Sequence, residues 1–103
     1  MAVIRGTTPT FKLTINDNSV DLTEALNVYA TFKQFNTIIT KTDVDLEVSA
    51  HEVDVFLSQS ETLKFNEGTV DIQLNWTYAD GTRAATKIAT INLTKNLIGS
   101  ELE

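Results

Sequence analysis

Apolar and polar residues alternate with a period of two over most of this chain. Phe11, Leu13 and Ile15 interleave with Thr10, Lys12 and Thr14, and Val28, Ala30 and Phe32 with Tyr29, Thr31 and Lys33. This is the pattern of strands that bury one face. The β-branched run Thr37–Thr40 predicts a further strand. Val44, Leu46 and Val48 alternate with Asp43, Asp45 and Glu47, and Val53, Val55 and Leu57 alternate with Asp54 and Phe56. The longest alternation sets Val70, Ile72, Leu74 and Trp76 against Asp71, Gln73, Asn75 and Thr77. Tyr78–Thr82 follows it, and its Asp80-Gly81 pair predicts a tight hairpin turn. A returning strand through Ile88, Ile91 and Leu93 to about Lys95 completes the hairpin, with an ambiguous face between Ala84 and Ala89.

Two segments depart from this alternation. Ser58–Phe65 begins with residues suited to an N-cap, which predicts a single helical turn near residues 59–64, crossing between two strands. Asp21–Ala25 reads as a similar short connection with Leu22 tucked inward. Pro9 stands where the first long strand begins and no ladder donor is needed. About seven short, mainly antiparallel strands, turn signals every 8–12 residues and no long helix predict an all-β, immunoglobulin-like sandwich. Residues 1–101 are expected to form one domain; residues 102–103, Leu102 and Glu103, read as a cloning scar.

Composition narrows the class. At 103 residues the chain suits one core; with 42% hydrophobic and 21% charged residues it can offset the entropy of ordering. It has no cysteine, so thiolate metal sites, disulfides and cysteine nucleophiles are excluded. That suits either an intracellular origin or a part of an extracellular assembly that needs no oxidation. The opening Met1–Arg5 is too short and too polar downstream for a signal peptide, and no apolar run approaches a membrane span. The net charge of −6 comes from 14 acidic and 8 scattered basic side chains, a poor match for nucleic acid.

Candidate chemistry is sparse. His51, the only histidine, is expected at an exposed loop tip with no nucleophile in a recognisable motif. Asp43, Asp45 and Glu47, with Asp54 opposite, lie along one predicted strand face. Residues two apart on a strand stand roughly 7 Å apart, so these carboxylates do not converge on one ion and read instead as a charged edge. Asp17–Asp21 lacks the glycine and distal glutamate of a calcium loop. The sequons at Asn75 and Asn92 fall inside strands and read as chance matches. Trp76 is expected in the core. Tyr29, Phe35 and Phe56 fall opposite their strands' aliphatic series and are the candidate interface residues, an apolar patch for a protein contact, with a sugar as the alternative. No catalytic residue, metal or cofactor is expected.

The order of the motifs carries a resemblance. Arg5-Gly6-Thr7-Thr8-Pro9-Thr10-Phe11 opens the first long strand, and Asp21-Leu22-Thr23-Glu24-Ala25 precedes Val28–Phe32. Val55–Leu63 leads into Glu67–Leu74, and Asp80-Gly81-Thr82 turns into the last strand. This layout resembles small prophage proteins of Gram-positive bacteria and is similar to the N-terminal immunoglobulin-like domain of phage baseplate upper proteins. Those proteins share the Arg-Gly-Asp/Thr opening, the Asp-Leu-Thr connection and the Leu-x-x-x-x-Thr crossover before a glycine-led strand. The resemblance covers nearly the whole chain. It implies a non-enzymatic virion or tail component, made in the bacterial cytoplasm. Its expected partners are proteins of a tail or baseplate assembly, including further copies of the chain, and neither nucleic acid nor membrane. A carbohydrate- or host-surface-binding module is the alternative.

Overall fold

The computed structural model describes residues 2–102; Met1 and Glu103, the outer residues of the leader and scar readings, lie outside it. Nine strands form two sheets. They are β1 (Ala2–Ile4), β2 (Thr10–Thr14), β3 (Asn27–Gln34), β4 (Thr37–Thr42), β5 (Leu46–Val48), β6 (Glu52–Phe56), β7 (Gly68–Thr77), β8 (Arg83–Ala85) and β9 (Ala89–Thr94). The larger sheet runs β1-β9-β7-β3-β4, with β8 also on β7, and the smaller runs β2-β6-β5. All pairings are antiparallel except β1 on β9. The small sheet β2-β6-β5 facing the larger, mainly antiparallel one makes the all-β, immunoglobulin-like sandwich.

The inward series pack as their alternation predicts. Val28, Ala30, Phe32, Val70, Ile72, Leu74, Trp76, Ile91 and Leu93 from the larger sheet meet Phe11, Leu46, Val53 and Val55 from the smaller. Phe11 and Phe32 pin the sheets together, their ring centroids 5.5 Å apart at 49°. In a chain without cysteine, this aromatic pair supplies the inter-sheet contact that a disulfide makes in antibody domains.

The crossover between the sheets is α1 (Gln59–Leu63), one helical turn closed by a capping box: the Ser58 hydroxyl accepts from the Glu61 N–H, and the Glu61 carboxylate accepts from the Ser58 N–H. A 3-10 turn at Leu22–Glu24 buries Leu22, as the sequence predicts, and is capped by Asp21.

The strand pattern needs four corrections. The count is nine rather than about seven, because Ala2–Ile4 forms a strand through a partner some 90 residues away and the last strand divides into β8 and β9. Opposite β7, Asn75 faces Ala85 and Ile72 faces Ala89, so residues 86–88 carry one extra residue, a bulge. The inward parity shifts across it, from Ala84 to Ile91, and Ile88, within the stretch whose face the sequence left ambiguous, is exposed and lies between the two strands rather than on one. Asp43–Asp45 is a 3-10 turn rather than a strand, because the Asp43 carboxylate turns back to accept from the Val28 N–H at 2.7 Å; Val44 is left 93% exposed. His51, expected free at a loop tip, is half-buried in the β5–β6 turn, where its carbonyl accepts from the Ile15 N–H.

Candidate functional site

Strands β3 and β4 are joined by a two-residue turn, Phe35-Asn36, closing on the Gln34–Thr37 pair. Such turns demand positive φ and favour glycine or asparagine. Phe35 takes φ 52°, the only positive φ outside glycine among the described residues, with its ring 82% exposed. The turn is held from below by Gln34. This buried amide donates to the carbonyls of Asn66 (2.9 Å) and Thr69 (3.3 Å) and accepts from the Asn66 N–H (2.7 Å). A rigid base thus presents a bulky aromatic to solvent.

Beside Phe35 lies an open groove of about 790 Å³ on the outer face of the larger sheet. Its floor is polar, with Thr31, Lys33, Thr69, Asp71 and Gln73; Phe35 and the bulge residue Ile88 are its apolar walls. Ile38 on β4, next to the turn, is also exposed. A second cleft, about 920 Å³, opens on the other flank, between β2 and β8–β9, over Leu13, Ile15, Trp76 and Ala84.

The three candidate aromatics do not form one patch. Tyr29 and Phe35 share the outer side of β3 but stand six residues, roughly 20 Å, apart. Phe56 is half-exposed on the outer side of the smaller sheet, opposite Thr10. Trp76 is buried, as expected, and its indole N–H donates to the Tyr78 hydroxyl at 3.0 Å. The exposed apolar side chains in and next to the groove are therefore Phe35, Ile38 and Ile88, of which only Phe35 was a candidate from the sequence. Phe35, expected opposite the aliphatic series of a strand, lies in the turn instead, and the bulge that turns Ile88 outward left only the face ambiguity between Ala84 and Ala89.

The polar residues are committed to local structure. Asp17 accepts from the Ser19 hydroxyl and N–H, and Asp21 from the Thr23 hydroxyl and N–H; these bonds, the hydroxyl ones foremost, hold both carboxyls below the usual range. Asp80 is lowered likewise by the Thr82 N–H and then its hydroxyl. Burial pushes Glu61 up, but Lys41, 2.6 Å away, and the Ser58 donors outweigh it and leave Glu61 lowered. Glu47 and Asp54 oppose each other across β5–β6 while Asp43 caps β3, so the predicted acidic row is dispersed. Among the described residues no group of three or more histidine or acidic side chains can hold a metal ion, and no helix is long and apolar enough to cross a membrane.

Two of the motifs behind the family resemblance, the Arg5–Thr7 opening and the crossover at Leu57–Leu63, meet in space. Arg5 donates from Nε to the Phe65 carbonyl (2.5 Å) and from Nη2 to the Leu63 carbonyl (2.7 Å), capping α1. Buried Thr62, the threonine of the Leu-x-x-x-x-Thr crossover, accepts from the Gly6 N–H (3.1 Å) and donates to the Thr7 carbonyl (2.8 Å). Gly6 needs to be glycine: its φ is +84°, and a Cβ there would lie 3.1 Å from Leu63 Cδ2. No protein-family model, curated protein or solved structure matches this chain.

Proposed function

We propose that this domain is a non-enzymatic phage or prophage structural protein, a tail- or baseplate-associated part that acts through contacts with other proteins. Phe35 carries the reading. Its exposed ring adds almost no burial energy, and its backbone conformation costs about 1–2 kcal/mol relative to a residue suited to positive φ. A side chain that is unfavourable to its own fold in both respects is explained by what it touches outside. The polar groups support the same reading, since each carboxylate with a lowered pKa already serves a cap, a turn or an ion pair. The virion context rests on the order of the motifs along the chain, two of which, the Arg5–Thr7 opening and the crossover at Thr62, are bonded to each other.

The groove beside Phe35 favours a second reading, a carbohydrate-binding module, because a polar floor beside an aromatic wall suits a sugar. That reading loses its platform with Trp76 buried and bonded to Tyr78, which leaves Phe35 without a coplanar partner.

Particles released from the producing bacterium on prophage induction test the assembly role. Antibodies against the purified domain should decorate one fixed position on tails, and quantitative mass spectrometry should return a constant copy number per particle. Its presence in the lysate but absence from the particles would overturn the proposal.

A further inference from the structure

We propose that the free edge of β4 pairs with the same edge of a second copy about a two-fold axis at Thr40, joining two larger sheets into one continuous sheet. This rests on the reading that the domain works by protein contact, and it names the first partner.

The edges of the sandwich are unequal. Strands β1, β5 and β8 have three residues each, and β2 has five, follows Pro9 and carries Lys12. Strand β4 has six residues, Thr-Ile-Ile-Thr-Lys-Thr, five of them β-branched, with no proline or bulge. Its single charge, Lys41, is tied to Glu61 at 2.6 Å, on the inner side of the sheet. Apart from Lys41, whose charge is matched by Glu61, the devices that normally blunt an edge are missing from the longest one. Because the two-residue turn makes Gln34–Thr37 a hydrogen-bonded pair, the N–H and C=O groups of Ile38, Thr40 and Thr42 point away from β3.

Three observations favour a second copy as the occupant. An antiparallel pairing centred on Thr40 sets Thr40 against Thr40 and Ile38 against Thr42, and it keeps every facing side chain on its own side of the sheet. The same two-fold sets the β3–β4 turn of one copy at the end of β4 where the second copy's Asp43–Asp45 turn begins, so Phe35 of one copy and Val44 of the other fall at the same corner. These are among the most exposed apolar side chains of the chain, at 82% and 93%, standing at opposite ends of one strand, and the two-fold covers both of them twice. Charge fits as well. Exposed Lys33, the cross-strand neighbour of Ile38, and exposed Asp45, in the turn after β4, fall at the same corner of the pairing, and no acid lies on β4 itself, so two molecules of net charge −6 meet along this strand without acid facing acid. A strand from a different protein would satisfy the backbone groups but would match Phe35 and Val44 only by its own sequence.

One strand pair with two corner contacts lies at the small end of specific interfaces, so dimerisation is expected in the micromolar range and is strengthened where an assembly holds copies close together. Sedimentation velocity over a concentration series tests it. The intact protein should pass from monomer to dimer. Thr40→Pro, which removes only an outward N–H, should stay monomeric at every concentration with an unchanged circular dichroism spectrum. Val44→Asp should weaken the dimer at least tenfold. Since the chain has no cysteine, Thr40→Cys should also form a symmetric disulfide under mild oxidation, whereas Phe56→Cys, on the other sheet, should not. A wild-type protein that stays monomeric at high micromolar concentration, or a dimer indifferent to both Thr40→Pro and Val44→Asp, would overturn the two-fold. Detection in phage particles despite a monomeric state would retire the β4 pairing and leave the assembly role standing; a β4 dimer absent from particles would do the reverse.

Discussion

Phe35 occupies a backbone position that suits glycine, and its ring gains almost nothing from burial. Replacing it therefore separates fold from function. Phe35→Gly removes the left-handed strain at the cost of extra freedom in the unfolded chain, with a net stabilisation of about 1 kcal/mol. Measured at a concentration where the protein is monomeric, the urea midpoint should rise by roughly 0.5–1 M. A lower midpoint would mean that the ring supports the hairpin, and Phe35 would lose its standing as a contact residue. Neighbouring Gln34 makes the opposite case. It reads in the sequence as a polar residue ending a strand, yet it is buried and makes three hydrogen bonds to the Asn66–Thr69 turn. Those partners are more than 30 residues away, so nothing local announces the role.

At the scale of elements, the alternation locates the core strands because one face of each is buried and the other wet. It misses where a partner comes from far along the chain or where a side chain takes over a backbone bond. β1 is three residues with no legible period, and it exists because β9 accepts it in parallel. The apparent alternation at Asp43–Val48 hides a turn, since the Asp43 carboxylate completes the donor accounting of β3. The face ambiguity near Ala84–Ala89 is the bulge itself, where the Thr86 N–H bonds the Leu74 carbonyl and the Leu74 N–H bonds the Thr86 hydroxyl. The helical turn was legible from its capping residues; its tie to the N-terminal segment was visible only as an order of motifs. That tie can be measured. Thr62→Val keeps the shape but leaves the Gly6 N–H and the Thr7 carbonyl without a partner, which costs about 2 kcal/mol. Arg5→Met uncaps α1, and because both residues act in one network the double variant should lose less than the sum of the singles. Additive losses in urea denaturation would show that Arg5 and Thr62 act independently.

For the whole molecule, the −6 charge and the four lowered carboxyls set the response to acid. A carboxyl whose pKa is lower folded than unfolded adds stability that is complete above its unfolded value, about 3.9 for aspartate and 4.3 for glutamate, and is lost as the pH falls through the folded value. Between pH 7 and 5 these groups are ionised in both states, so stability should change little on their account. Below about pH 4.5 the unfolded chain binds protons first, and stability should decline. Glu61 is the group to isolate, because its side chain is only 20% accessible while Asp17 and Asp80 are exposed and Asp21 is half-exposed. Glu61→Gln preserves the capping box but no longer titrates or pairs with Lys41. The variant should be less stable at pH 7 by about 1 kcal/mol, and its urea midpoint should fall less steeply than that of the wild type from pH 5 downward. The two curves then converge at the acid end, where the wild-type glutamate is itself neutral. Parallel curves would assign the acid response to the surface aspartates and remove the Lys41–Glu61 pair from the account of how α1 is fixed beneath the edge of β4.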